Sequence, residues 1–342
     1  MSAAGERHLV LVVGVGRSGT SLLSGILGQI GFHIPQPEVK ANASNPRGFG
    51  EPRWVVDFHQ RMLRERRVTV NDARPAAWAT TAATADVAGI RDELRTWLAG
   101  QAATGGALVV KDPRTVWFLP LWTRCAADLG IPTSFVTMLR HPAEIVTSAR
   151  KSYGDGLTEA SRAAAWINVM LETEHATRGS RRAFVGYEEL LSDWEPEIQR
   201  IGVQLDSALL SRADRAAFPQ VDGFVDPSLH RNRAGWEELD VPLGVRDMAE
   251  DVWRQVLALA GPSGDTTVAG TALDEVRGAY GELYREAESI AQCSVLSAKY
   301  PRSPAAGTAP PAPSLRVRVA RRIPARHRRR LRRAIRSLRG RS

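Results

Sequence analysis

Residues 8–30 constrain this chain more than any other stretch: HLVLVV, then GVGRSGTS, then LLSGILGQI. His8–Val13 is a short apolar strand, and it runs into a glycine-rich turn. From Ser18 to Ile30 the apolar residues Leu22, Leu23, Ile26, Leu27 and Ile30 recur at helical spacing. Strand, glycine loop and helix in that order is the setting in which a loop cradles a phosphate. Gly14 and Gly19 have the separation seen in G-x-x-x-x-G-K-[ST]. Thr20 stands where that loop carries lysine, and a cation appears instead at Arg17, inside the turn.

Backbone N–H groups at such a turn and at a helix N-terminus converge on an anion, and the helix dipole favours negative charge there. Glycines such as Gly16 and Gly19 let the backbone approach closely. Arg17 adds a full charge in a fork that matches phosphate oxygens, and Ser18, Thr20 and Ser21 add hydroxyl donors.

Three further apolar runs read as strands: Ala107–Val110 ending in KDPR, Ser134–Leu139 ending in RHP, and Ala183–Val185. Helices are expected over 54–66, 86–98, 142–152, 158–178, 246–260 and 268–292, with a turn and helix after residue 186. Strands alternating with helices predict an α/β fold: a P-loop-like parallel sheet flanked by helices on both faces. Residues 35–53, rich in Pro, Gly and Asn, read as a long surface loop of the kind that carries function. The predicted organisation is a domain over 1–299, a Pro/Ala-rich linker over 300–313 and an Arg-rich tail over 314–342.

The net charge of +9 belongs to that tail, which holds 13 arginines and no acid. The rest of the chain carries 37 acidic residues against 33 basic ones, so nucleic acid is not an expected partner. Cys125 and Cys293 make neither a disulfide framework nor a metal site, which fits a reducing, cytoplasmic setting. The polar start MSAAGERH does not read as a signal peptide, so none is expected, and no apolar run approaches transmembrane length. In the tail, Leu331, Ile335 and Leu338 lie at helical spacing among arginines. That pattern reads either as a solvated tail or as a basic amphipathic helix for an anionic membrane surface, which would place the protein peripherally at the inner face.

A second anion signal lies in LRHPAEIVTSARKSYG, residues 139–154. Arg140 leaves a strand end, and Pro142 opens the following helix. Ser148 follows within reach of the same anion, unless Arg140 is engaged in an ordinary salt bridge and Ser148 merely sits on a solvated face.

Together, Arg17-Ser18-Gly19-Thr20-Ser21 and the Arg140-to-Ser148 segment resemble the sulfotransferases that use 3′-phosphoadenosine-5′-phosphosulfate. In that family the first motif binds the 5′-phosphosulfate and the second binds the 3′-phosphate. The resemblance runs with gaps over residues 8–233. It extends to FVGYEELLSDWEPEIQRI, which implies Tyr187 beside the donor nucleotide, and to GFVDPSLHRNR, which implies Arg231 or Arg233 as contacts in a loop closing over it. VVKDPRT resembles a segment of tyrosylprotein and some carbohydrate sulfotransferases, and this implies Lys111 at the transferring sulfuryl group.

The implied reaction is in-line sulfuryl transfer to an acceptor hydroxyl, with Arg17 and Lys111 facing the charge that develops on the leaving oxygen. The sulfuryl group carries one negative charge, so no metal is required. A general base is needed for the hydroxyl. The candidates are Glu51, Asp57, His59 and His33, with Glu51 first because similar bacterial enzymes carry N-P-x-G-[FY]-x-E there, and His59 second. Arg47 and Arg53 flank Glu51 and would suit an anionic acceptor. Trp54, Trp78, Trp117 and Trp122 are either core or a stacking floor for a sugar or aromatic acceptor. The expected acceptor is a carbohydrate, glycolipid or small metabolite. The competing readings are a P-loop kinase using ATP and Mg²⁺, with Asp112 as its metal-side acid, and a non-catalytic membrane or nucleic-acid adaptor acting through the tail.

Overall fold

The computed structural model describes residues 7–42, 45, 47–104, 106–153, 156–226, 228, 234–261 and 267–298. Arg231, Arg233, the linker and the tail lie outside the described residues. Four strands form one parallel sheet: β1 His8–Val13, β2 Ala107–Lys111, β3 Thr133–Leu139 and β4 Arg182–Gly186, in the order β2-β1-β3-β4. Leu9 of β1 pairs with Leu108 on one side and with Thr133 on the other. Leu9 to Val13 are completely buried, as near-continuous apolar runs are in a parallel sheet covered on both faces.

Alternation along the strands builds two cores. Val10, Val12, Val136, Met138 and Val185 pack against α1 Thr20–Ile30 through Leu23, Ile26 and Leu27. The same layer takes in Leu190 and Leu191 of α8 Tyr187–Ser192, and Trp194, Ile198 and Ile201 of α9 Trp194–Leu205. Leu9, Leu11, Val13, Phe135, Leu139 and Phe184 face the other way, into the larger core. That core is filled from α2 Arg53–Arg66, α4 Ala88–Ala102, α5 Leu119–Asp128, α6 Pro142–Ser152, α7 Glu159–Thr177 and α12 Leu243–Leu259.

The chain leaves β1 for β2 on one side of it and then returns to β3 on the other. A crevice therefore opens beyond the carboxyl ends of β1, β2 and β3, the place where α/β sheets of this kind bind ligands.

The elements differ from expectation mainly at proline and glycine. Helix α1 begins at Thr20, two residues later than the apolar pattern suggested, because Gly19 adopts a left-handed conformation (φ 99°) at its N-cap. Helices α3 Pro75–Ala82 and α5 were not among the expected elements; Pro75 and Pro120 sit in their first helical turns, where the missing N–H has no intrahelical partner to lose. The remaining helices are α10 Ala208–Ser211, α11 Pro219–Phe224 and α13 Thr267–Ala298. The chain divides into two compact units, Met1–Glu286 and Ala287–Ser342; of the second, the described part is helix, over 287–298. No helix among the described residues is long and apolar enough to cross a membrane.

Candidate active site

A cavity occupies the crevice at the strand ends. Gly16, Arg17, Gly19, Thr20, Ser21 and Leu22 form one wall, from the β1–α1 turn and the first turn of α1. The long loop adds Asn45, Arg47, Gly48, Phe49 and Glu51, and the end of β2 adds Lys111 and Pro113. Arg140 and Ser148 come from the β3–α6 segment, and Tyr153, Tyr187 and Phe224 complete the lining. Both expected anion-binding segments therefore open on one space.

They are also tied to each other. Arg17 is a non-glycine residue in the left-handed region (φ 77°), a conformation that costs roughly 1–2 kcal/mol. Two contacts hold it there: Arg140 Nη1 donates to the Arg17 carbonyl (3.2 Å), and Arg17 Nε donates to Ser148 Oγ (3.0 Å). Arg140 is 8% exposed; its Nε donates to Glu144 Oε2 (2.7 Å) and its guanidinium lies 4.7 Å from the centre of the Tyr187 ring. That ring also explains Gly19, where a Cβ would lie 2.3 Å from Tyr187 Cδ2.

Lys111 is 2% exposed, and its ammonium donates to Ser21 Oγ (3.1 Å), the Phe49 carbonyl (3.1 Å) and Glu51 Oε1 (2.5 Å). An ammonium has three donors, so all are used. Glu51 is buried but lines the cavity, which gives it both an ion pair and access to a ligand.

Several expectations are corrected by burial. His59 is not on the cavity; it is fully buried, with Nδ1 2.8 Å from Asp112 Oδ2 and Nε2 accepting from Trp122 Nε1–H (2.9 Å). Indole is only a donor, so Nε2 carries no proton and Nδ1–H donates to Asp112. Both ring nitrogens are thus occupied, and His59 cannot serve as the base. Asp112 is equally buried, on His59 and Arg114, which removes the metal-side acid of the kinase reading. Ser18 Oγ is buried away from the cavity, so Ser18 offers a backbone and no hydroxyl. Asp57 is exposed on α2 and His33 lies outside the cavity.

None of the four tryptophans lines the cavity, so they make no stacking floor there; two are core and the half-buried Trp54 and Trp78 pack against it. Trp117 and Trp122 are buried, Trp54 stacks between Phe58 and Trp97, and Trp78 tilts against Trp117. Arg53 is exposed outside the cavity. Arg47 does line the cavity, where Nη1 donates to the Gly223 carbonyl (2.9 Å) and Nη2 meets Asp226 (3.3 Å), with its guanidinium over Phe224.

Three lining residues had no signal strong enough to single them out. Asn45 donates from Nδ2 to Ser21 Oγ (3.2 Å), and Phe224 arrives from the distant α11. Tyr153 directly follows α6, with its hydroxyl 3.4 Å from where a Cβ on Gly16 would sit. Tyr153 is 41% exposed, but desolvation at the cavity wall raises its phenol pKa against the opposing field of Arg17. Its position just past the Arg140–Ser148 helix was the only available pointer.

The family model described as the sulfotransferase family matches residues 10–209. Among solved structures, the sulfotransferase domain from the curacin biosynthetic pathway is 17% identical, with a TM-score of 0.43, covering 73% of this chain and 97% of that one. The sulfotransferase domain from the Synechococcus PCC 7002 olefin synthase is 18% identical, with a TM-score of 0.40, covering 72% and 94%. No curated protein sequence matches the chain.

The buried pair makes a prediction about pH. Burial lowers the His59 pKa below its ordinary value of 6.5, more than the hydrogen bond to Asp112 raises it. A histidine kept neutral in the fold binds fewer protons there than in the unfolded chain. The stability it contributes is present above pH 6.5 and is lost as pH falls through its folded pKa. His59→Phe is expected to lower stability at neutral pH by about 1–3 kcal/mol, because the Trp122 N–H and the Asp112 carboxylate lose a buried partner. Denaturant unfolding of both proteins below pH 6.5 checks this: wild type declines more steeply than the variant.

Proposed function

The chain belongs to the sulfotransferase family, and from that premise we propose that it moves a sulfuryl group from 3′-phosphoadenosine-5′-phosphosulfate to a hydroxyl of a carbohydrate, glycolipid or small metabolite. The observation that carries this reading is the locking of Arg17 by Arg140 and Ser148 on a cavity that also holds Lys111 and Glu51. The β1–α1 turn suits the 5′-phosphosulfate, with Arg17, Thr20 and Ser21 around it. Arg140 and Ser148 suit the 3′-phosphate, with Tyr187 beside the nucleotide. Arg231 and Arg233 remain proposed donor contacts on sequence grounds alone.

Glu51 is the proposed base and Lys111 the proposed electrophilic cation. The acceptor hydroxyl gives its proton to the Glu51 carboxylate, and its oxygen forms the new bond to sulfur. The bond from sulfur to the phosphate oxygen breaks, and its electron pair stays on that oxygen. Arg17 and Lys111 stabilise the charge as it develops there. Before the donor arrives Lys111 neutralises Glu51 (2.5 Å). A donor oxygen that draws the ammonium toward itself weakens that pair, so the carboxylate becomes available as a base in the presence of its co-substrate.

Three experiments test the reading. In thermal shift, adenosine 3′,5′-bisphosphate is expected to raise the melting temperature. Arg140→Ala should weaken that ligand by roughly tenfold or more, since a charge-assisted contact is lost; stabilisation by ATP–Mg²⁺ alone would sink the proposal. Glu51→Gln is expected to bind the bisphosphate normally yet lose about 10²–10⁴-fold in transfer, read by mass spectrometry of sulfated acceptors. For the tail, co-sedimentation with anionic liposomes of the chain with and without residues 314–342 should show binding by the longer form; equal binding removes the membrane role.

A further inference from the structure

Behind Arg140 lies a cluster that the proposed chemistry does not use. His141 is the N-cap of α6, and its Nδ1 accepts from the Ala143 N–H (3.3 Å). Pro142 has no N–H, so Ala143 offers the first backbone donor of the helix, and His141 takes it. An accepting Nδ1 leaves the proton on Nε2, which donates to Glu250 Oε1 (2.9 Å) on α12. The same carboxylate oxygen accepts from the Trp236 indole N–H. The His141 ring stands edge-on to Trp236 and Trp253, with centroids 6.0 and 5.6 Å away.

This anchor leads directly to the anion site. The His141 carbonyl accepts from the Glu144 N–H (3.1 Å), so the capped first turn of α6 fixes where Glu144 begins. Glu144 Oε2 in turn holds Arg140 Nε, and Arg140 holds the Arg17 carbonyl. Every link from Glu250 to Arg17 is a hydrogen bond or a helical turn.

We propose that His141 is a positioning residue for Arg140: braced by Glu250 and Trp236, it sets the first turn of α6 so that the Arg140 guanidinium is aimed at the 3′-phosphate of the donor. This rests on the reading of Arg140 given above, and it adds a requirement that α12 be docked for the 3′-phosphate to be recognised.

The test is calorimetric titration of the full chain with adenosine 3′,5′-bisphosphate and, separately, with adenosine 5′-monophosphate. His141→Ala is expected to lose roughly tenfold in affinity for the bisphosphate, the scale of one lost charge-assisted contact, while affinity for the monophosphate changes less than about twofold. Glu250→Gln keeps an acceptor oxygen and should behave as wild type. Glu250→Ala should match His141→Ala, and the double variant should be no worse than either single one. His141→Asn, which can still cap the helix, should recover part of the loss. Intact monophosphate binding shows that a variant has folded. Equal weakening of both nucleotides, or no weakening of the bisphosphate, overturns the positioning role and leaves the proposed function standing. A wild-type chain that binds both nucleotides alike overturns the two together.

Discussion

The candidate site is organised around one buried ammonium. Lys111 ends β2, and its three N–H donors reach the first turn of α1, the backbone of the long loop and the carboxylate of Glu51. A charge with almost no solvent is tolerable only when every donor is matched, and removing one member of such a buried pair typically costs about 3–5 kcal/mol. Among the described residues of 35–52 there is little regular structure, and the lysine gives the inner end of this loop a fixed position at Phe49 and Glu51. The proposed chemistry and the architecture therefore share an atom.

The sheet order explains why the contacts converge. β1 lies between β2 and β3, so the turn after β1 has the ends of both neighbours beside it. Lys111 approaches from one side and Arg140 from the other, each at a strand end, where backbone position is set by ladder hydrogen bonds on rigid elements. Side chains from strands and first helical turns can be held more closely than side chains from loops alone. The two cores on opposite faces of the sheet fix this framework from both directions.

The glycine loop, the four strands and most long helices were legible in the sequence because they depend on local periodicity and on glycine. Arg17, Arg140, Ser148, Lys111 and Glu51 were legible as residue types at strand ends, and they share one cavity. What failed to read was side-chain direction and long-range packing. Ser18 looked like one more hydroxyl donor, yet its side chain turns inward where the loop is left-handed on both sides of it, at Arg17 and Gly19. His59 looked available, but its fate is set by Trp122 and Asp112, each more than fifty residues away in the chain. Tyr153 and Phe224 reach the cavity by tertiary folding, which leaves no periodic trace. Helices α3 and α5 went unread; each begins with a proline in its first turn, whose meaning depends on the helix that follows.

The left-handed Arg17 has a consequence for ligand affinity. Its unfavourable backbone conformation is held by contacts from Arg140 and Ser148 within the chain itself. On the proposed reading of this loop, a phosphate that binds it need not order a backbone these contacts already hold, so less conformational entropy is lost on association and more of the contact energy survives as affinity. The strain is borne once, during folding, by the same arginine and serine that border the cavity.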